Sequence, residues 1–148
     1  MNGGGRVPGS VTTGDTESIF LAMKTARDLE EERREAEGKW EVVIPGTAHP
    51  TFLKACHYLS LKAVVVSAGK DGIADPEAME SALIGRMILL VCPAPCFPYG
   101  MVDPVPDIAR IALKHGLLLH VDACMGGFVL PFLKELGHPQ TPCKAGVP

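Results

Sequence analysis

A carboxylate at the end of an apolar run is the first feature of this sequence that could do chemistry. Asp122 follows the apolar run 117–121 and precedes Ala123, Cys124 and the glycine pair 126–127. Such a pattern is typical of a buried parallel strand, and open α/β sheets bind their ligands at the carboxyl ends of their strands. Asp122 could therefore pair with a protonated ring nitrogen, bind a ribose or hold a metal. It could equally cap the glycine turn that follows it.

A small polar turn near the start of the chain could bind an anion. Residues 12–18 read Thr-Thr-Gly-Asp-Thr-Glu-Ser and precede a helical apolar pattern. Backbone amides at a helix start point outward and carry partial positive charge, so they can hold a phosphate, and the hydroxyls of Thr16 or Ser18 could add bonds. The same turn could instead only cap the helix through Asp15 or Thr16, and the Asp15 carboxylate would repel a phosphate.

Two histidines complete the set of candidate groups. His49 follows a predicted strand, 42–44, where an imidazole could stack on a planar cofactor or cap the next helix. His120 lies inside the run that leads to Asp122. From the alternation of side chains along a strand, we predict that His120 points to the opposite face of the sheet.

The elements that must position these groups alternate along the chain. Short apolar runs predict strands, and apolar residues at helical spacing, together with Asp caps, predict helices. A parallel sheet covered by helices on both faces follows from this alternation. The predicted strands are 42–44, 63–66, 88–92 and 117–121, and the predicted helices are 17–29 with a charged extension through 35, 50–59, one from Asp75, one from Asp103 to Gly116, and 128–136.

Composition excludes several classes of function. The 148 residues suit one domain, and the net charge of −3, from 14 basic and 17 acidic residues, gives no broad attraction to nucleic acid or anionic membranes. No apolar run approaches the roughly 18 residues that span a bilayer. We expect buried free thiols and no metal site, because Cys92 and Cys96 are stiffened by the prolines between them and have no second pair nearby.

Four segments of the sequence resemble one enzyme family in order and in spacing. They are residues 11–19, 47–49, 92–106 and 120–128. The chain resembles the pyridoxal-phosphate-dependent sphingosine-1-phosphate lyases of the group II decarboxylase superfamily, from about Ser10 to His138. The first segment is shared across that superfamily, whereas the last two are the more specific to the lyases.

The resemblance implies a three-layer α/β fold, the large domain of fold type I pyridoxal-phosphate enzymes, with an incomplete, mainly parallel sheet. Residues 11–138 would be part of that domain, residues 1–10 a flexible or truncated edge, and residues 139–148 a divergent tail. By the same resemblance, Gly14 and Thr16 lie at the cofactor phosphate. His49 stacks on the pyridine ring as a catalytic residue, and Asp122 pairs with the ring nitrogen.

The family resemblance also implies an activity. These lyases cleave phosphorylated long-chain sphingoid bases to a fatty aldehyde and phosphoethanolamine, as homodimers and without nucleic acid. A eukaryotic parent protein would act at the cytosolic face of the endoplasmic reticulum membrane, and another parent in the cytoplasm.

Three departures from the family pattern shape the expectation. None of the lysines of the chain stands in the Asp-Thr-His-Lys context of the family's Schiff-base lysine, so we expect a fragment that is inactive alone. Asp15 replaces a glycine of the phosphate turn, and Pro93 and Tyr99 replace a small hydroxyl residue and a histidine. Two alternatives stay open: a fragment of a pyridoxal-phosphate-dependent amino-acid decarboxylase, and a non-catalytic pseudoenzyme or misannotated gene product.

Overall fold

Four parallel strands, in the order β2-β1-β3-β4, form the sheet in the described part of this chain. The structure, a computed structural model, describes residues 7–35, 37–133 and 135–137. The strands are β1 (Glu41–Pro45), β2 (Lys62–Val66), β3 (Met87–Pro93) and β4 (Leu118–Asp122). The helices are α1 (Asp15–Arg33), α2 (Thr51–Tyr58), α3 (Pro76–Ser81) and α4 (Val105–His115). The predicted parallel α/β sheet is confirmed.

Alternation along the strands divides the core into two layers. In β1, Val42 and Ile44 belong to the apolar cluster that includes α1 and α2, whereas Val43 belongs to the cluster that includes α3 and α4. In β3, Val91 belongs to the cluster with α1 and α2, and Leu90 belongs to the cluster with α3 and α4. Successive side chains of a strand point to opposite faces, so both faces of the sheet need apolar residues and a helical cover.

The helices begin and end within about two residues of their predicted bounds, but the predicted Asp103 cap is wrong, because α4 begins at Val105 after Pro104 and the Asp103 side chain bonds to Ala74. The α3 helix is capped by Asp75, whose side chain accepts hydrogen bonds from the backbone of Glu77 and Ala78. The α4 helix ends at Gly116, which adopts the left-handed conformation with φ 64° that favours glycine. Among the described residues, no helix is long and apolar enough to span a membrane.

The predicted helix over 128–136 is wrong for the residues that the structure describes. Only a 3₁₀ turn, Leu130–Phe132, forms there. Pro131 has no backbone N–H to give to a helix, and of this turn only Leu130 is buried, so little packing energy is available to stabilise a longer helix. Of the predicted boundaries, residues 1–6 and the tail 139–148 lie outside the described residues.

A buried carboxyl group joins two loops of the α3–α4 layer. Asp103 is fully buried, and its Oδ1 accepts a hydrogen bond of 2.9 Å from the backbone N–H of Ala74, whereas Oδ2 has no partner among the described residues. Burial, opposed by that hydrogen bond and assisted by the charge of Asp71, raises the pKa of Asp103 from 3.8 to about 6. The folded protein therefore takes up this proton more readily than the unfolded chain does.

Replacing Asp103 by asparagine should make the protein less sensitive to rising pH. Below about pH 4 the carboxyl is protonated in both states, and between about pH 4 and 6 only the unfolded state releases the proton, so ionisation of Asp103 favours unfolding as the pH rises. The free energy of unfolding of D103N, minus that of the native protein, should rise by up to about 3 kcal/mol between about pH 4 and 6. Urea unfolding at pH 4, 5, 6 and 7 measures it. The half-exposed Asp107, changed to asparagine, is the control, and an equally large pH effect there would contradict the assignment.

Candidate functional site

Three strand ends and one helix start meet at the carboxyl edge of the sheet. Adjacent strands β1, β3 and β4 are followed by the loops 46–50, 94–104 and 123–129. The α1 helix starts at the same edge, because a carboxylate oxygen of its first residue, Asp15, lies within 4.8 Å of a carboxylate oxygen of Asp122. The polar groups predicted at the start of α1 and at the end of β4 are therefore neighbours.

Asp122 is the last residue of β4 and is 7% exposed. Its Oδ1 accepts a hydrogen bond of 3.3 Å from the backbone N–H of Cys124, so one oxygen stabilises the turn, as the capping alternative predicts. A carboxylate has lone pairs for further partners on both oxygens. Turn capping and ligand binding are thus compatible for this side chain.

The start of α1 is organised differently from the predicted cap. Gly14 is the N-cap residue, and no side chain bonds to the first-turn amides from that position. Glu17 instead accepts hydrogen bonds from the backbone N–H of Thr13 at 2.7 Å and from its hydroxyl at 2.6 Å. These bonds lower the pKa of Glu17. The alternative of a cap formed by Asp15 or Thr16 is therefore wrong, because no side chain caps this helix start.

His49 lies between β1 and α2 and faces α1. Its Nδ1 accepts a hydrogen bond of 3.3 Å from the backbone N–H of Thr51 and lies 2.9 Å from the Thr51 hydroxyl. Because a backbone N–H can only donate, the neutral imidazole carries its proton on Nε2. The same Nδ1 is 3.8 Å from Oδ2 of Asp15, and the ring meets Phe97 edge-on at 5.2 Å between centroids.

His120 lies on the same face of the sheet as Asp122, so the prediction that it points to the opposite face is wrong. Side chains two residues apart on a strand lie on the same face, and the side chain of the residue between them points to the other face. The His120 ring packs edge-on against Phe52 of α2, with 5.6 Å between centroids. Burial lowers the pKa of His120, and the charges of Asp122 and Asp15 oppose that shift. The two-residue period of side chains along a strand was the signal that would have placed His120 correctly.

Asp15, Asp122 and Cys124 form a compact group of acidic and thiol side chains. Their carboxylate oxygens and the Cys124 sulfur lie within 4.8 Å of one another, which is close enough for a shared metal ion. No metal site was predicted from the sequence, although a metal was one of the ligands open to Asp122, and Asp15 was not expected in such a group. Partial desolvation, followed by the charges of Asp122 and Asp15, raises the pKa of Cys124 to about 11.

Close packing of two loops holds this edge together. Gly126, after β4, lies against the Ala94–Pro95 peptide after β3, which is cis. A Cβ at position 126 would lie 2.3 Å from the Ala94 carbonyl oxygen and 2.7 Å from Cδ of Pro95. The backbones approach so closely that only glycine fits there.

Comparison with known proteins gives one consistent group of relatives. The chain is 44% identical over 139 residues to the sphingosine-1-phosphate lyase 1 of Rattus norvegicus, which covers 94% of this chain and 24% of the relative. It is 36% identical over 130 residues to the L-aspartate decarboxylase of Thermococcus kodakarensis, which covers 88% of the chain and 33% of that protein. The chain thus spans about a quarter to a third of the length of these relatives. No protein-family model matches it.

A solved structure supports the same assignment. The sphingosine-1-phosphate lyase of Burkholderia pseudomallei superposes with a TM-score of 0.82 at 33% identity, over 86% of this chain and 29% of that chain. The homologues and structural neighbours are pyridoxal-phosphate-dependent enzymes, and the neighbours have the fold type I architecture. The predicted fold class is confirmed. The roles assigned to Gly14, Thr16, His49 and Asp122 stay predictions.

Proposed function

The chain is a homologue of the sphingosine-1-phosphate lyases over nearly its whole length, and we propose that it forms part of the cofactor-binding wall of such a carbon–carbon lyase. The observation that carries the proposal is the convergence at one sheet edge. Asp15, which stands between Gly14 and Thr16, lies 3.8 Å from His49 and within 4.8 Å of Asp122. The reaction would cleave a phosphorylated sphingoid base to a fatty aldehyde and phosphoethanolamine.

The hydrogen-bond donors and the acceptor at this edge suit the two ends of pyridoxal phosphate. The start of α1, with Gly14 and Thr16, offers backbone amides and a hydroxyl for the phosphate, and no N-cap side chain occupies those amides. At the other end, the buried Asp122 carboxylate would hold the ring nitrogen in its protonated form, because a nearby negative charge in a poorly hydrated site stabilises a cation. The Asp15 carboxylate does not suit this arrangement, because its negative charge would repel the phosphate.

The catalytic contribution of this chain is electrostatic and positional. Bound pyridoxal phosphate supplies an electron sink for the electron pair released when a carbon–carbon bond of the substrate breaks. Asp122 maintains the positive charge that makes the sink effective. His49, fixed by Thr51 and Phe97, offers a rigid ring face against which a pyridine can stack. None of the lysines in these 148 residues stands in the family's Schiff-base context, so we propose that this lysine lies elsewhere in the full-length protein and that these residues alone are inactive.

The expected result for the full-length protein with pyridoxal phosphate is release of fatty aldehyde and phosphoethanolamine from a phosphorylated sphingoid base. Mass spectrometry of the products measures both. The decarboxylase relatives give the second candidate a specific basis, since carbon dioxide released from an amino acid, without long-chain aldehyde, would establish a decarboxylase instead. Absence of both products from a folded, cofactor-saturated sample would support the non-catalytic alternative.

We also propose that the parent protein is a homodimer, located at the cytosolic face of the endoplasmic reticulum if it is eukaryotic and in the cytoplasm otherwise. The support for the dimer is a set of exposed apolar side chains on the loops after β3 and β4 and on the 3₁₀ turn 130–132. Large apolar groups exposed together mark surfaces that associate. Each of these side chains is between 53% and 77% exposed: Phe97, Tyr99, Met125, Phe128, Val129 and Phe132.

A further inference from the structure

We propose that the Asp15 carboxylate is a tethered anion that occupies part of the cofactor's place, so that it competes with pyridoxal phosphate for this edge of the sheet. The inference rests on the proposed function. It gives a definite role to the residue that departs from the glycine of the resembling family. It also predicts that the native protein holds the cofactor more weakly than a variant without this side chain.

The position of the carboxylate is the first argument. Oδ2 of Asp15 lies 3.8 Å from Nδ1 of His49, and the carboxylate lies within 4.8 Å of that of Asp122. These are the two side chains that a bound pyridine would contact. A ring needs van der Waals separation of about 3.5–4 Å from the imidazole and a hydrogen bond of about 2.8 Å to the carboxylate. The Asp15 carboxylate thus lies where the ring must approach both groups.

The helix start explains why the Asp15 carboxylate is stable in this position. Asp15 is the first residue of α1, where the partial positive charge of the helix favours an anion. The amide groups that would attract a phosphate therefore already have a negative group beside them. A phosphate that enters must either displace this carboxylate or accept its repulsion.

The surrounding charges do not neutralise Asp15. The titratable groups that face it are His49 and His120, from the β1–α2 loop and β4, together with Asp122 and Cys124. Within the described ranges, the ion pairs with Lys or Arg involve neither Asp15 nor Asp122. Two carboxylates close together raise the cost of adding the phosphate charge. A second negative charge beside the protonated ring would act in the opposite direction, and the measured sign decides between these effects.

Titration calorimetry of the full-length protein with pyridoxamine 5′-phosphate tests the proposal. This compound keeps the ring and the phosphate, but its amine cannot form an imine with surface lysines, so the measurement reports noncovalent binding. The variants are Asp15→Gly, which removes the side chain, and Asp15→Asn, which removes the charge and keeps the volume. Asp107→Asn is the matched control, because Asp107 lies in the first turn of α4, within the layer on the other face of the sheet.

The expected result is a Kd at least tenfold lower for D15G than for the native protein, a smaller gain for D15N, and no change for D107N. Binding of equal or lower affinity in D15G would overturn the competition. If native protein and D15G bind equally and Asp122→Ala abolishes binding, the competition is wrong and the proposed function stands. If no variant binds the compound although circular dichroism shows folded protein, both are wrong.

Discussion

Replacing Gly126 by alanine should destabilise the full-length protein by about 3 kcal/mol, the upper part of the range for a side chain forced into a filled space. The new Cβ would lie 2.3 Å from the Ala94 carbonyl oxygen and 2.7 Å from Cδ1 of Leu130. A leucine side chain can rotate away, but a backbone carbonyl can move only if the loop after β3 moves with it. Because this loop borders the candidate cofactor site, weaker cofactor binding should accompany the loss of stability.

Gly85 provides the matched control for that substitution. A Cβ at Gly85 would meet nothing within 4 Å, so alanine there should change the free energy of unfolding by no more than about 1 kcal/mol, and the change could be stabilising through the unfolded chain. Urea unfolding of both variants measures the difference. Equal effects of G126A and G85A would show that the close approach of the two loops is absent in solution.

Replacing Asp122 by asparagine should lower kcat/KM of the full-length protein by about 2 × 10²- to 5 × 10³-fold. Removal of one partner from a buried charge pair costs about 3–5 kcal/mol, which corresponds to this range of rate. Asparagine keeps the shape and an oxygen that can accept the N–H of Cys124, so the turn after β4 should persist. The loss therefore reports the missing charge rather than a disrupted loop.

The control for Asp122 is a carboxylate at the far end of α1. Asp28 pairs with Lys24 and Arg27 and lies 13 residues from Asp15, about 20 Å along a helix. Asp28→Asn should leave kcat/KM within about twofold, since surface ion pairs contribute little. Full activity of D122N, with an unchanged Kd for pyridoxamine 5′-phosphate, would remove Asp122 from the cofactor site.

Local pattern was sufficient to predict the strands, because each one contains a short apolar run, interrupted only by His120 in β4. The prediction 88–92 corresponds to β3, Met87–Pro93, and 117–121 corresponds to β4, Leu118–Asp122, each within a residue. Helix ends were predictable where capping chemistry is local, as at Asp75 and Gly116. These features depend on interactions between residues close in sequence.

The prediction failed where distant residues decide the outcome. Asp15 and Asp122 are far apart in the sequence, and only the packing of α1 beside β4 brings their carboxylates within 4.8 Å. The apolar residues of 128–136 match a helical period, yet most of the described ones remain exposed. Apolar burial therefore does little to stabilise a helix there. The face of His120 was misjudged although the period of two, a local rule, is sufficient to assign it.

The high pKa of Cys124 has a consequence for chemical durability. With a pKa of about 11, this exposed thiol is a thiolate in only about one molecule in ten thousand at pH 7. A thiolate attacks hydrogen peroxide, the O–O bond breaks with release of hydroxide, and the first product is a sulfenic acid. Cys124 should therefore be oxidised more slowly by peroxide than the acidic thiols of redox-sensitive proteins.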